Sequence, residues 1–315
     1  MNISVALCTY NGAKYIKEQI QSILNQTMPV DEIVVCDDGS LDNTIDIVEE
    51  LKLTTGIPVL IVQNAKTIGF KENFIKAMSL CRGDVVFLSD QDDIWCPNKV
   101  EMIISWFDVH PNKDVVFTDA TLINECGESF NETLWQRFGF DKKKQRFFDY
   151  GYGLDIWAWS NRATGATMAI KKDFLVKIKW DKSNDKYHDK IIALQGLVMG
   201  ALGYYEEKLI CYRLHDNQAC GATRLSKELY YSPIVPCKEM FVDFDISYLP
   251  DRERNHVKFI FYRALSKYNW FGIHQFLSIP TYIRMYNLWA YKFFYYDLFV
   301  SMRHSFKRIL NQVIR

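Results

Sequence analysis

Three carboxylates fall within four residues at Asp90-Gln91-Asp92-Asp93. Negative charges this close repel one another unless a cation neutralises them. Asp-x-Asp on a loop can bridge a divalent metal, Mn2+ or Mg2+, to a diphosphate. An acidic turn that only caps the helix starting near Pro97 would need one or two of them. Asp37-Asp38-Gly39-Ser40 also admits two uses. It can form a turn and helix cap, a job for which Asp42 is available too. A carboxylate beyond a strand end can instead accept the imide N–H of uracil or thymine. Cys8-Thr9-Tyr10-Asn11-Gly12 sets an aromatic ring and hydrogen-bonding groups beside a helix N-terminus, which suits a base and its phosphates. His188-Asp189 opens an apolar helix, as a simple cap would, yet transfer to a hydroxyl needs one carboxylate base away from a metal cluster. Arg213, His215 and Asn217 alternate after a late strand, as any amphipathic strand end does. In a diphosphate site, Arg213 can pair bidentately with phosphate and His215 can bind metal or donate a proton.

Groups so scattered need a frame that gathers them. Apolar runs at 3–8, 33–36, 59–62 and 85–88 alternate with helical spacing at 15–24, 45–51 and 70–81. Continuous apolar strands separated by helices predict an α/β domain, a mostly parallel sheet covered on both faces. Ligands in that architecture sit beyond the carboxyl ends of the strands. The polar segments 9–12, 37–40 and 89–93 each follow a strand directly, the strongest purely physical signal in the sequence. Downstream, the pattern predicts a helix over 100–107, a strand at 115–117, loops through the aromatic stretch 131–162, a strand over 164–170, a helix over 189–202 and a strand at 209–214. The α/β domain is expected to span 1–225, with halves of about 1–118 and 119–225. Residues 226–251 read as a linker and 252–315 as a helical extension.

The chain has 315 residues, 49% of them hydrophobic, and zero formal net charge. That balance excludes a globally basic nucleic-acid binder, and no nucleic-acid partner is expected. The zero sum hides asymmetry: residues 252–315 hold eleven Lys or Arg against Glu253 and Asp297, hence +9, leaving −9 on residues 1–251. Seventeen Phe, Tyr or Trp accompany that positive tail. Such a composition fits helices lying on an anionic membrane surface, and equally a helical subdomain packed on its own core. Eight cysteines without C-x-x-C spacing read as reduced thiols of a cytoplasmic protein, and residues 1–12 carry no signal-peptide pattern. The most apolar stretch, 286–302, is interrupted by Lys292 and Asp297, so no spanning helix is expected.

The array Ala6-Leu7-Cys8-Thr9-Tyr10-Asn11-Gly12, Val34-Val35-Cys36-Asp37-Asp38-Gly39-Ser40, Ser89-Asp90-Gln91-Asp92-Asp93-Ile94-Trp95 and His188-Asp189 resembles family 2 glycosyltransferases over about residues 1–220. The resemblance implies a GT-A-type, Rossmann-like fold, with the nucleotide-sugar half first and the acceptor half second. It implies that Thr9, Tyr10 and Asn11 line the nucleotide pocket, with Asp38 reaching the base and Asp37 nearby. Asp92 would bind the metal directly, with Asp90 as ribose or second metal contact. Asp189 is similar to the family's catalytic base. Gly165 and Ala166 fall where a small-residue loop borders sugar and acceptor, and Arg213-x-His215 resembles a late segment near the diphosphate. One departure is His188, where many relatives have Glu.

The Ser-Asp-Gln-Asp-Asp-Ile-Trp string resembles members that build bacterial surface polysaccharides, rhamnosyltransferases among them. This implies a dTDP-rhamnose or UDP-hexose donor, a glycan or lipid-linked saccharide acceptor and inversion at the anomeric carbon; a lipid-linked acceptor on the cytoplasmic face would suit the reading of the basic aromatic tail as a peripheral membrane contact. Two other classes stay open at this stage. A sugar nucleotidyltransferase would want a glycine-rich basic loop after the first strand, which 9–13 does not supply. A noncatalytic nucleotide-sugar or glycan-binding module would keep the acidic loops as caps only.

Overall fold

The four early apolar runs become the four parallel strands that carry the candidate loops. In the computed structural model, which describes residues 1–157, 161–180, 187–216 and 218, β1 spans Ile3–Thr9, β2 Glu32–Asp37, β3 Val59–Gln63 and β4 Val85–Ser89. They pair in parallel in the order β3-β2-β1-β4. Helices α1 (Ile16–Leu24), α2 (Thr44–Thr54) and α3 (Phe70–Leu80) make the crossovers. Every residue of β1 and β4 is buried, because helices leave neither face of a parallel sheet open, and this is why the strands read as unbroken apolar runs.

Beyond β4 the sheet becomes mixed. The remaining elements are β5 (Ile94–Trp95), α4 (Lys99–Val109), β6 (Val115–Ile123), β7 (Ser129–Thr133), α5 (Leu134–Phe138), α6 (Lys142–Phe147), α7 (Gly153–Trp157), β8 (Met168–Lys171), α8 (Lys172–Leu175), α9 (His188–Val198) and β9 (Leu202–Arg213). The order continues β4-β8-β6-β9-β5, with β7 on β6. β8 runs antiparallel to both β4 and β6, β6 and β9 are parallel, and β5 opposes β9. The expected α/β class is therefore found, with antiparallel pairings in its second half where a mostly parallel sheet was expected. β6 passes straight through 118–119, so the two expected halves share one sheet.

This arrangement fixes where chemistry can occur. β1, β2, β3, β4, β6 and β9 point the same way and end on one edge. β8 points the other way, so its first turn, Gly165–Thr167, lies at that same edge.

Two stretches differ from expectation. Segment 131–162 contains α5, α6 and α7 in place of loops. α5 opens with a reciprocal cap between Thr133 and Gln136 and ends at Gly139, whose φ of 65° suits a residue without Cβ. Such short helices on different axes show no sustained period. Their aromatic residues converge instead: Trp135 and Phe140 have ring centroids 5.0 Å apart, Phe140 and Tyr204 5.4 Å, and Phe117 and Trp157 5.6 Å. The second difference is β9, which starts at Leu202 and not near 209. Gly200 at φ 68° ends the preceding helix early, and the exposed Glu206-Glu207-Lys208 inside β9 disguises it as a loop.

The expected linker 226–251 and extension 252–315 lie outside the described residues, as does Asn217. Cys8, Cys36, Cys81, Cys96, Cys126 and Cys211 are free thiols. Among the described residues no helix is long and apolar enough to cross a membrane.

Phe117 is fully buried at the centre of the aromatic cluster. Phe117→Ala should therefore lower unfolding free energy by about 3–5 kcal/mol, read by urea denaturation. A loss under 1 kcal/mol would show that the cluster does not hold the second half together.

Candidate active site

Three loops at the shared edge lock onto one another. After β1, Thr9 Oγ1 donates to Asp37 Oδ1 at 2.7 Å, and the Asp38 amide donates to the Thr9 carbonyl at 2.8 Å. Asn11 adopts a left-handed φ of 49°, its amide donating to Ser40 Oγ and its side-chain oxygen accepting from the Leu41 amide, both at 2.8 Å. Gln91 reaches back and grips the Tyr10 backbone from both sides: Oε1 accepts its amide at 2.8 Å and Nε2 donates to its carbonyl at 3.1 Å. A Cβ on Gly12 would sit 2.1 Å from Gln91 Oε1, so a larger residue there would push the Gln91 side chain out of its grip. The Tyr10 ring stays 48% exposed beside this knot, free to meet a flat ligand.

Asp37 and Asp38 serve largely as loop anchors. Asp37 also accepts from the Gly39 and Ser40 amides at 3.1 and 2.8 Å, and from the Ser40 hydroxyl. Asp38 Oδ1 accepts from Asn64 Nδ2 and the Ile68 amide at 2.9 and 2.8 Å, and Oδ2 from the Gly69 amide at 2.9 Å. Both carboxylates shape the wall that a base would meet. In this conformation the Asp38 oxygens are engaged at the start of α3, where a reach toward the base was expected.

The acidic loop follows β4. His215 Nε2 lies 2.7 Å from Asp92 Oδ2, joining two expected metal ligands that are 123 positions apart in sequence. Asp93 Oδ1 accepts from the Arg213 amide at 3.0 Å, whereas Oδ2 is buried without a partner. Asp90 stands beside them. Burial, then the charges of Asp92 and Asp189, push its carboxyl up to about 7, with Lys99 opposing. Burial, then Asp92 and Asp90, likewise push Asp93 well above the usual range.

These residues fit a divalent cation. Asp92 and His215 bring a carboxylate oxygen and an imidazole nitrogen within 2.7 Å of each other, and the adjacent Asp93 has a buried carboxylate oxygen without a partner. Among the described residues no cluster of three His, Cys, Asp or Glu forms a ready cage. Mg2+ commonly needs only one or two protein carboxylates, with phosphate oxygens and water completing its shell.

Arg213 departs from its expected role against a phosphate. Its guanidinium is buried, with Nε donating to the Asp92 carbonyl at 2.8 Å, one terminal nitrogen to the carbonyls of Asn124 and Glu125 at 3.3 and 3.0 Å, and the other to Glu18 Oε2 at 2.6 Å. The fork is already filled by protein, so its positive charge acts on the loop from behind.

Asp189, in the first turn of α9, faces the same edge. Its Oδ2 accepts from the Gly165 amide at 3.2 Å and Oδ1 from the Lys190 amide at 2.6 Å, and its charge is felt at Asp90. His188 beside it is buried, stacked on Phe74 at 4.1 Å, with neither ring nitrogen bonded. A Cβ on Gly165 would come within 2.8 Å of His188 Nε2, which accounts for the small residue expected there.

This geometry has known counterparts. The model of glycosyl transferase family 2 matches residues 4–162, half of the 315. The chain belongs to that family. The glycosyltransferase is 28% identical over 236 residues to the dTDP-rhamnosyl transferase RfbG of Shigella flexneri, covering 71% of this chain and 76% of the relative. It is 25% identical over 233 residues to an uncharacterised glycosyltransferase of Methanocaldococcus jannaschii, covering 73% and 76% of the two chains. Its fold is similar to the crystal structure of S. aureus TarS 1-349 in complex with UDP-GlcNAc, with a TM-score of 0.58 at 19% identity over 90% of this chain and 79% of that one. The expected GT-A fold is thus found.

Sequence reading of this glycosyltransferase overlooked Gln91, Glu18 and Lys99. Gln91 was visible as the central residue of Asp-x-Asp, but its grip on Tyr10 spans 81 positions. Lys99 shares an apolar helix face with Ile103 and Trp106, four and seven residues on, the one signal that it points inward.

His188 is held at a pKa of about 3 by burial, against 6.5 when free. The unfolded chain therefore binds the extra proton first, and stability should fall as pH drops below 6.5 toward 3. His188→Gln should lose part of this acid sensitivity in thermal melts between pH 7 and pH 5. An unchanged pH slope would mean that His188 is not kept neutral by the fold.

Proposed function

We propose that this glycosyltransferase moves a sugar, with inversion, from a nucleoside-diphosphate sugar to a hydroxyl of a glycan or lipid-linked saccharide acceptor in surface polysaccharide synthesis. The observation that carries the proposal is the meeting at one sheet edge of Asp90, the Asp92–His215 pair and Asp189, from three separate segments. The similarity to a dTDP-rhamnosyl transferase supports dTDP-rhamnose as donor, with a UDP-hexose the other candidate.

Thr9, Tyr10, Asn11, Asp37 and Asp38 form the wall for base and ribose, where the exposed Tyr10 ring can stack on the base. Asp90 faces the ribose or the metal. Asp92 and His215 would hold Mn2+ or Mg2+, which when bound would neutralise the departing diphosphate. Asp189 takes the proton from the acceptor hydroxyl as that oxygen attacks the anomeric carbon. The Gly165 and Lys190 amides hold the two Asp189 oxygens in place at this edge. Arg213 adds positive charge behind the metal loop without touching the substrate. A single in-line displacement from the face opposite the leaving group inverts the configuration. Peripheral contact of the basic aromatic tail with the cytoplasmic membrane face would bring a lipid-linked acceptor within reach.

Calorimetric titration with UDP, dTDP, GDP and CDP, with and without Mn2+, tests the pocket. One or two of them should bind in a metal-dependent manner, and Asp92→Ala should abolish that dependence. No binding by any of the four would remove the functional reading altogether. Asp189→Asn should keep donor binding yet lower turnover by about 10²–10⁴-fold. Turnover like that of the wild type would eliminate Asp189 as base.

A further inference from the structure

Lys99 is the first residue of α4 and is completely buried. Its Nζ donates to the Ala166 carbonyl at 3.0 Å and lies 3.9 Å from the Trp95 ring centroid. Ala166 sits in the turn Gly165–Thr167, whose first amide holds the Asp189 carboxylate at 3.2 Å. A Cβ on Gly165 would be 3.6 Å from Asp189 Cβ and 2.8 Å from His188 Nε2, so the turn rests directly on the residues that open α9. Burial pulls the pKa of Lys99 down to about 7, with Asp93, Cys96 and Asp90 opposing.

Burying an ammonium is costly, and a well-packed apolar residue of similar length often serves stability as well or better. A hydrogen bond to a carbonyl, a place over a ring and the nearby Asp93 and Asp90 offset only part of that cost. The bond does accomplish one thing a methionine would not: it fixes the turn that carries the Gly165 amide.

We infer that Lys99 is a positioning residue for sugar transfer, whose ammonium fixes the Gly165–Thr167 turn through the Ala166 carbonyl and so sets the Asp189 carboxylate against the Asp90–Asp93 loop. The inference rests on Asp189 being the base. It adds a link between the segment that follows the metal loop and the group that takes the acceptor proton, through a residue that touches no substrate. The donor at the end of the side chain, more than its length, is what the role requires.

The test uses the full chain with Lys99→Met and Lys99→Arg. In Lys99→Met, hydrogen exchange of peptides over 163–168 should quicken by about tenfold, while peptides over 85–89 keep the wild-type rate. Binding of UDP or dTDP with Mn2+ should stay within about threefold, and the melting temperature should not fall. Metal-dependent hydrolysis of the donor that the wild type cleaves fastest should lose about 10- to 100-fold in kcat with KM unchanged. Lys99→Arg should recover part of both exchange protection and kcat.

Unchanged exchange over 163–168 in Lys99→Met would overturn the inference, as would wild-type kcat. Failure of both variants to fold would also overturn it, because the charge would then serve the core. If the wild type binds no nucleotide, the functional reading fails separately, and faster exchange in Lys99→Met would still support the attachment of the turn.

Discussion

The buried guanidinium of Arg213 is the interaction on which the acidic loop depends. It bonds to the backbone of Asp92, to the strand end at Asn124 and Glu125, and to Glu18 of α1, while its own amide holds Asp93. Four segments far apart in sequence thus meet on one fixed cation. Without it, the carbonyls of Asp92, Asn124 and Glu125 and the Glu18 carboxylate would lose their common donor, and the loop would lose its tether. Replacing one charge in such a network is far more disruptive than its individual bonds suggest, since the partners would be left buried and unpaired.

Direction of the strands turns this local balance into a site. Polar residues at the ends of β1, β2 and β4 reach the same edge because their strands are parallel. β9 brings Arg213 and His215 there because it follows β6, and β8 brings Gly165 there because it runs backward. The electrostatic result is an edge on which the carboxyls of Asp90 and Asp93 are both raised. Cation binding would relieve that tension, so any affinity for a metal would grow from the same burial that raises them.

The donor side was legible from sequence for a physical reason. Strands buried on both faces appear as unbroken apolar runs, and the next polar residues can only lie at their ends. Asp92 and His215 could each be nominated as ligands from residue type, and the fold then places them in contact. Other parts were hidden because their meaning comes from distant partners. The apolar face of α4 hints that Lys99 points inward, but not that the Ala166 carbonyl, 67 positions away, accepts its hydrogen bond. Arg213 was expected to grip phosphate, but nothing local shows that four protein groups already fill its fork. The helices of 134–157 are too short for periodicity to declare them, and the aromatic cluster that justifies them depends on Phe117 and Tyr204 from elsewhere.

One topological detail bears on how such a chain can diversify. β6 ends at Ile123 on the site edge, and β8 begins at Met168 on that same edge. Between them the chain lays β7 back on β6 and sends Trp135, Phe140 and Trp157 into the packing around Phe117, yet it starts and stops in one place. Its exposed turns can therefore change length without shifting the register of β1–β4. Such a detour is a cassette pinned to a constant frame, and variation in its outer turns is an economy in evolutionary steps that a continuously parallel sheet would deny.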